Sequence, residues 1–485
     1  MQLRLDPEGA SRHQQIYEAL RAAILNGTLR VNDRLPSSRA LADDLGVSRT
    51  TVLGAFARLL DDGYITGRSG AGTRVADVAR AGGALHPRHG TLPVATAPPS
   101  ELSQASQALF REGKWRYMPT QPVPFTVGIP ALEVFPLATW TRLHARRWRL
   151  SGKELLLAGD PLGYAPLREA VAQYVATARG VRCTAEQVLI VNGATHAIDL
   201  CARMLVSAGD EVWLEDPCYS PARGIFAATG AALVDVPVDM DGLDVAAGRA
   251  RAPNARLAFV TPSYQSPLGV TLSLERRHAL LAWARDAGAW IVEDDYNGEY
   301  RYDTSPVPAM QGLDEHGRVL YIGSFSKSLA PAVRLGYLVL PPQLVAHFGR
   351  ARMLLDRHSP VPEQAVLADF LGGGHFARHI RRTRAVHQER QRIFLSLAEK
   401  ELGGLLTFNE APAGMRLLGW LAPGLDDRAM AAEAERRGVV VEPMSKHLEV
   451  GSPRRGFMFG YASYNVTQTR AAMRVLAAVI RGSGA

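Results

Sequence analysis

Residues 34–52 read RLPSSRALADDLGVSRTTV, and the order of helix starts and stops in this run decides the N-terminal fold. Pro36 and Ser37 open one short helix, Leu45-Gly46-Val47 makes a tight turn, and Ser48 caps the next helix with its side-chain oxygen. Upstream, Ile16, Leu20, Ala23 and Ile24 recur at helical spacing within 13–26, and Gly27 stops that helix. Downstream, Tyr64 to Val75 carries Gly70 and Gly72 at the tip of a hairpin, with Arg68 and Arg74 on its flanks. Three helices and a hairpin make a winged helix-turn-helix over residues 1–78. Its second motif helix would offer Ser48, Arg49, Thr50 and Thr51 at the N-terminus, where base edges and phosphates are met, with Arg49 the candidate for direct readout. The wing would lie against phosphates or the minor groove. A helical protein-interaction module of the same shape is the competing reading.

The whole chain has 485 residues, too many for one ordinary core, so two to three domains are expected. Hydrophobic residues at 47% and charged residues at 21% exclude a disordered or fibrous chain. No apolar run approaches the ~18–20 residues of a membrane span, and Arg4, Asp6 and Glu8 stand where a signal peptide would be apolar. A cytoplasmic protein without a membrane partner is therefore expected. Cys183, Cys201 and Cys218 are sparse and unpaired in spacing, which predicts reduced structural thiols and no metal site. A net charge of +8 is compatible with a polyanion but is diluted over the chain.

Residues 79–124 are rich in Ala, Pro and Gly, as in AGGALHPRHGTLPVATAPPS, and read as a flexible linker with one weakly helical piece around 103–111. From 125 to 485, short apolar runs alternate with amphipathic ones: VLIV at 188–191, EVWLED at 211–216, LAFVTP at 257–262, WIVEDD at 290–295 and VLYIG at 319–323. Buried strands separated by helices predict an α/β domain with a parallel sheet covered on both faces, and the last ~100 residues read as a smaller α+β lobe.

Within that domain, SFSK at 324–327 follows a strand, and Arg334 stands in the next loop. The Lys327 amine suits a Schiff base with an aldehyde cofactor, while Ser324, Ser326 and Arg334 suit its phosphate. A surface lysine in a Ser-rich loop is the plainer reading of this motif alone. Asp294 ends WIVED, where a carboxylate can hold a pyridine nitrogen protonated. Asp295 is its rival, since strand alternation puts the two on opposite faces. Tyr296 can donate to a ring phenolic oxygen. In NGATHAIDL at 192–200, Ala194 and Thr195 sit just before a helix and suit a phosphate. Tyr219 in EDPCY can stack on the ring or be an ordinary core tyrosine, and Cys218 beside it lacks an activating neighbour.

The run at 34–52 resembles the DNA-binding head of the GntR family, which implies that Arg39, Ser48, Arg49, Thr50, Thr51 and Gly70 lie at the DNA. Leu53 occupies a position that is often polar there. In order, GDPLGYAPLR, NGATHAIDL, EDPCY, TPSYQSPLG, VEDDYNGEYRY and GSFSKSLAPAVRLGY resemble class I aminotransferases of fold type I, and more closely the MocR-type regulators that fuse such a domain to a GntR head. The resemblance implies pyridoxal 5'-phosphate (PLP) as cofactor and a double-stranded DNA operator. It also implies a head-to-tail homodimer, with RNA polymerase a further candidate partner.

The sequence also departs from the enzymes. Their α-carboxylate arginine aligns with Met458 in FMFGYA, with Arg454 and Arg455 as nearby substitutes. A phosphate-binding tyrosine aligns with Ala158, and the NPxG asparagine with Ser266, which Gln265 would partly replace at the cofactor. The resemblance thus implies a transcriptional regulator whose pocket senses an amino compound that displaces Lys327, or PLP itself; loss of the clamp favours the second, as in relatives that control PLP synthesis. The alternatives are an active aminotransferase with a vestigial head, or a domain that only dimerises. Residual half-reaction chemistry is compatible with the first reading. Arg378, Arg381, Arg382, Arg384 and Arg390 read as a solvated helix face, with contact to DNA or the head as the alternative.

Overall fold

A computed structural model describes residues 6, 10–68, 72–77, 102–112, 123–302, 307–408, 413–448 and 454–482. The chain divides into two units, Met1–Ser100 and Glu101–Ala485. In the first, α1 (Arg12–Leu25), α2 (Ser38–Leu45) and α3 (Arg49–Asp61) precede the antiparallel hairpin β1 (Ile65–Arg68) and β2 (Gly72–Val75), paired Ile65 to Val75 and Arg68 to Gly72. Ile16, Leu20, Leu41, Val52, Phe56 and Leu59 meet in one core with Ile65 and Val75 of the hairpin. The helix starts follow the capping chemistry: Ser37 Oγ accepts from the Ala40 amide and Ser48 Oγ from the Thr51 amide, each at 3.1 Å. Gly46 ends α2 in the left-handed region at φ 63°, which opens the turn to α3.

The second unit begins earlier than expected. Helix α4 (Gln104–Glu112) packs on the helix Ser220–Ala228 of this unit, and Arg223 Nε bonds Glu112 at 3.1 Å. The expected linker of 79–124 is corrected for this helix: an amphipathic piece with Leu109 beside apolar neighbours buries surface there rather than staying free.

Behind α4 lies an eight-stranded mixed sheet in the order β3 (Val188–Val191), β10 (Gly336–Val339), β9 (Val319–Ser324), β8 (Trp290–Asp294), β7 (Leu257–Val260), β4 (Glu211–Asp216), β5 (Ala232–Asp239), β6 (Gly242–Leu243). Strands β5, β4, β7, β8 and β9 run parallel, as expected, but β10 is antiparallel to both of its neighbours. The short connection 325–335 between β9 and β10 explains this, because a parallel crossover needs a dozen or more residues. Strands β3, β7, β8, β9 and β10 are buried along their whole length, which is why they read as unbroken apolar runs rather than alternating ones. The C-terminal lobe carries a four-stranded antiparallel sheet, β11 (Leu406–Phe408), β12 (Arg416–Leu421), β14 (Gly456–Gly460) and β13 (Glu442–Pro443) in that order. Its Leu417 and Phe459 join the core that also holds Phe125 and Phe394.

No helix among the described residues is long and apolar enough to cross a membrane. Replacing Gly46 with Val forces a β-branched residue into the left-handed region, at a cost of about 1–2 kcal/mol. Hydrogen exchange across 12–75 is expected to quicken in Gly46→Val, while the large unit keeps its protection.

Candidate functional site

Asp294 ends β8 and Asp295 follows it, with only 3% and 5% of their surfaces exposed. Asp295 Oδ2 accepts from Arg179 Nε at 2.6 Å and from the Tyr321 hydroxyl at 2.7 Å, so it is spent on a buried structural ion pair. Asp294 has no such cation. Its Oδ1 has no hydrogen-bond partner among the described residues, and burial, then the charges of Asp295 and Glu215, push its pKa up to about 8. Of the two rivals, the geometry leaves Asp294 as the carboxylate that still needs a positive partner.

Lys327 follows the end of the adjacent β9 and donates to the Gly128 carbonyl at 2.8 Å. Burial, reinforced by the Arg416 charge and opposed by Asp294, brings its pKa down to about 8. Ser324 caps the short turn that carries the lysine, its Oγ accepting from the Ser326 amide at 3.2 Å. Across the sheet edge, the helix α5 (Ala194–Leu205) starts after Gly193, whose φ of 94° suits only glycine. Arg334 Nη2 donates to the Asn192 carbonyl at 2.9 Å, which seats the guanidinium against that helix start. The Tyr219 hydroxyl lies near the Thr195 side chain, Asp294 and Arg334, and burial raises its pKa. Thus Tyr219, Ala194, Thr195, Ser324, Ser326 and Arg334 converge from separate parts of the chain around Lys327 and Asp294, at the carboxyl ends of the parallel strands.

Gln265 does not join them as expected. Its Nε2 donates to Glu215, to the Pro217 carbonyl at 2.7 Å and to the Ser266 carbonyl, and its Oε1 accepts from the Leu268 amide at 2.8 Å. A side chain that is 1% exposed with both ends engaged acts as a brace for its loop. Its neighbour Ser266 is the one that lies beside the Tyr296 hydroxyl.

Tyr296 also accepts from Arg416 Nη2 at 2.7 Å, so its own proton remains free to give. Arg416 was not singled out in the sequence. The signal for it was a lone charged residue opening the apolar strand RLLGWL after Gly414. Met458, by contrast, packs with Leu418 and Met444. Neither substitute named for it shows a free guanidinium at the pocket: Arg454 lies 3.9 Å over the Trp420 ring, and Arg455 Nη1 bonds the Arg454 carbonyl. Cys218 is buried with its thiol pushed up to about 12, chiefly by desolvation, as suits a packed residue. No cluster of possible metal ligands occurs among the described residues.

On the first unit, Arg39, Ser48, Arg49 and Thr50 are exposed together around the start of α3. Thr51 is half-buried, with its hydroxyl 2.8 Å from Ser48 Oγ, and Arg49 Nε reaches Ser38 Oγ at 3.3 Å, which ties α3 to α2. Gly70 lies outside the described residues. Leu53 is 46% exposed on the same helix, an apolar spot within a polar face. Of the arginine stretch at 378–390, Arg384 bonds the Glu299 carbonyl and Arg390 the Ala462 carbonyl and Glu133, while Arg381 and Arg382 are exposed.

The family model for bacterial regulatory proteins of the GntR family matches residues 12–75, and that for aminotransferase class I and II matches 121–455. A probable rhizopine catabolism regulatory protein MocR from Rhizobium meliloti is 41% identical over 93% of this chain and 90% of its own length. This chain belongs to the MocR-type regulators of the GntR family. It is accordingly a DNA-binding transcriptional regulator with a PLP-binding aminotransferase fold. A second MocR-type relative, the pyridoxine biosynthesis regulator PdxR of Corynebacterium glutamicum, is 28% identical over 94% of this chain and 93% of its own. Among solved structures, α-aminoadipate aminotransferase LysN of Thermus thermophilus, complexed with N-(5'-phosphopyridoxyl)-L-leucine, matches with a TM-score of 0.68 at 28% identity, covering 74% of this chain and 92% of that one.

The MocR-type pocket fits PLP on its own geometry. The partnerless Oδ1 of Asp294 answers a pyridinium, a Lys327 amine whose pKa is lowered answers an aldehyde, and the start of α5 with Arg334 answers a phosphate. When bound, PLP supplies an imine-forming carbon and an electron-withdrawing ring. Only the neutral amine is nucleophilic, so a pKa of about 8 leaves about one lysine in ten reactive at pH 7, against fewer than one in a thousand at the ordinary value. The rate at which Lys327 captures added PLP is expected to rise about tenfold from pH 6 to 7 and to level off above about 8, as followed by stopped-flow absorbance. Lys327→Ala is expected to abolish the visible band altogether.

Proposed function

We propose that PLP held at Lys327 makes the large unit a receptor for a small amino compound, and that filling this pocket changes how the head engages its operator. The observation that carries the reading is the coexistence, in one chain, of an assembled cofactor pocket and an exposed polar face made by Arg39 of α2 and Ser48, Arg49 and Thr50 at the start of α3. The competing signal is PLP itself. The names of the two relatives bear on the choice: identity is 41% to a regulator named for a catabolic pathway and 28% to one named for pyridoxine biosynthesis, which favours a compound to be degraded. This reverses the weight that the loss of an arginine at 458 gave to PLP in the sequence. The same reading puts the protein in the cytoplasm, with RNA polymerase within reach at the promoter.

We further propose that the regulator works as a homodimer of the head-to-tail kind. Support comes from a band of exposed apolar side chains on the large unit: Leu150, Leu156 and Leu157 from one segment, and Met353, Leu354 and Leu355 from another, with Leu354 86% exposed. The two segments adjoin, since Gly159 lies against His358 and Val361, and monomers seldom leave so many large apolar groups uncovered together.

Two measurements test these readings. Fluorescence anisotropy on DNA from upstream of its own gene is expected to give an affinity that changes between PLP-free, PLP-loaded and amine-treated protein. A single affinity across all three would remove the receptor reading. In the same assay Arg49→Ala is expected to weaken specific binding by about 1–3 kcal/mol, roughly five- to 150-fold, with little change on unrelated DNA. Light scattering is expected to report a dimer for the wild type and a monomer for the double variant Leu157→Glu, Leu354→Glu.

A further inference from the structure

Aminotransferase chemistry puts a carboxylate-binding arginine at the position that Met458 fills here, and Met458 is packed among Leu418 and Met444. Strand β12 runs antiparallel to β14, with Leu418 opposite Met458 and Arg416 opposite Gly460. Residues two apart on a strand face the same side. Arg416 therefore emerges on the same face of the lobe sheet as Met458, one strand over and one step along.

Its guanidinium is held rather than loose. It lies 5.4 Å from the Tyr264 ring centre and 5.6 Å from that of Tyr296, between two rings 6.4 Å apart. One nitrogen, Nη2, donates to the Tyr296 hydroxyl at 2.7 Å and to the Gln265 carbonyl at 3.1 Å. Both acceptors are neutral. Among the described residues no carboxylate forms an ion pair with Arg416, and its buried Nε has no hydrogen-bond partner. A part-buried guanidinium with a buried donor left unspent is an incomplete ion pair. Its charge is felt at Lys327 and helps to lower the pKa of that amine, so the two basic groups share one space.

We propose that Arg416 is the carboxylate receptor of the effector pocket, so that the effector is an amino acid in the chemical sense: a primary amine directed at the Lys327 end and a carboxylate directed at Arg416. This rests on the reading of the pocket as an amino-compound receptor and narrows it. Met458 then marks a relocated clamp rather than a lost one. Rings of Tyr264 and Tyr296 fix the guanidinium before the ligand arrives, which spares the ordering cost of a free arginine.

The test uses the full-length, PLP-loaded protein and matched probes that differ by one carboxylate: L-alanine and β-alanine against ethylamine, and 4-aminobutyrate against propylamine. Half-saturating concentrations are read from the visible absorbance change and, independently, by titration calorimetry. The wild type is expected to prefer at least one carboxylated probe over its matched amine by about tenfold or more, the worth of one charge-assisted bidentate pair. In Arg416→Met that ratio is expected to fall to near one, and in Arg416→Lys to an intermediate value, since an ammonium keeps the charge and loses the fork. Equal response of the wild type to both members of every pair overturns the inference while leaving the receptor reading intact. An unchanged ratio in Arg416→Met overturns it too and leaves Arg416 as a brace for Tyr296. Absence of any response to all five probes overturns the receptor reading and this inference together. Should Arg416→Met fail to fold, the wild-type ratio and Arg416→Lys decide the matter.

Discussion

Asp294 and Asp295 are neighbours in sequence, both nearly sealed from water, and only one of them has a cation. Burying two carboxylates at one strand end is tolerable because Arg179 and Tyr321 take up Asp295, and removing that arginine would leave a charge stranded in a low-dielectric core, a loss of about 3–5 kcal/mol in comparable cases. Asp294 is left facing the pocket with its pKa raised. The parallel strands, the seat of Lys327 at the end of β9 and the loop that bears Tyr296 are all arranged around this imbalance. A positively charged ring nitrogen is the natural counterpart, and the pocket is therefore incomplete as protein alone.

Two kinds of residue surround that carboxylate. Ser324 and Arg334 bond the backbone at the pocket wall, with Thr195 and Tyr219 beside them, and so keep the start of α5 and the β9 turn in register. Gln265 and Glu215 do the same a layer further out, where burial pushes Glu215 up to about 7 while Thr261 and Gln265 hold it down. Wall and support thus share a hydrogen-bond fabric, although only the wall faces the space around Lys327.

Much of this was legible in the sequence because local rules suffice for it. Caps at Ser37 and Ser48, the glycine turn at Gly46 and the apolar strand runs depend on neighbours a few residues away, and the structure follows them. The phosphate end was legible for the same reason, since a glycine before a helix is a local pattern. The choice between Asp294 and Asp295 was not, because it turns on Arg179, 116 residues distant from Asp295. Arg416 was not legible on similar grounds: the arginine of the enzymes aligns with Met458 on β14, whereas this guanidinium arrives from the adjacent strand β12. Gln265 was misassigned because sequence gives the residue type but not which way its amide is already committed. The piece at 104–112 read as linker because its apolar face is short and its partner lies more than a hundred residues on, at 220–228.

Lys327 sits on the turn that leaves β9 of the eight-stranded sheet, and Arg416 belongs to the four-stranded sheet of the C-terminal lobe. Their side chains meet in the same small space, but their backbones are separate planks, joined through long helices and loops. Whatever occupies that space with one end at each cation works as a crossbeam between the two. Its length, as much as its charge, would then set the angle at which the lobe rests on the sheet, so that molecules of like chemistry and unlike reach would leave the regulator in mechanically different states.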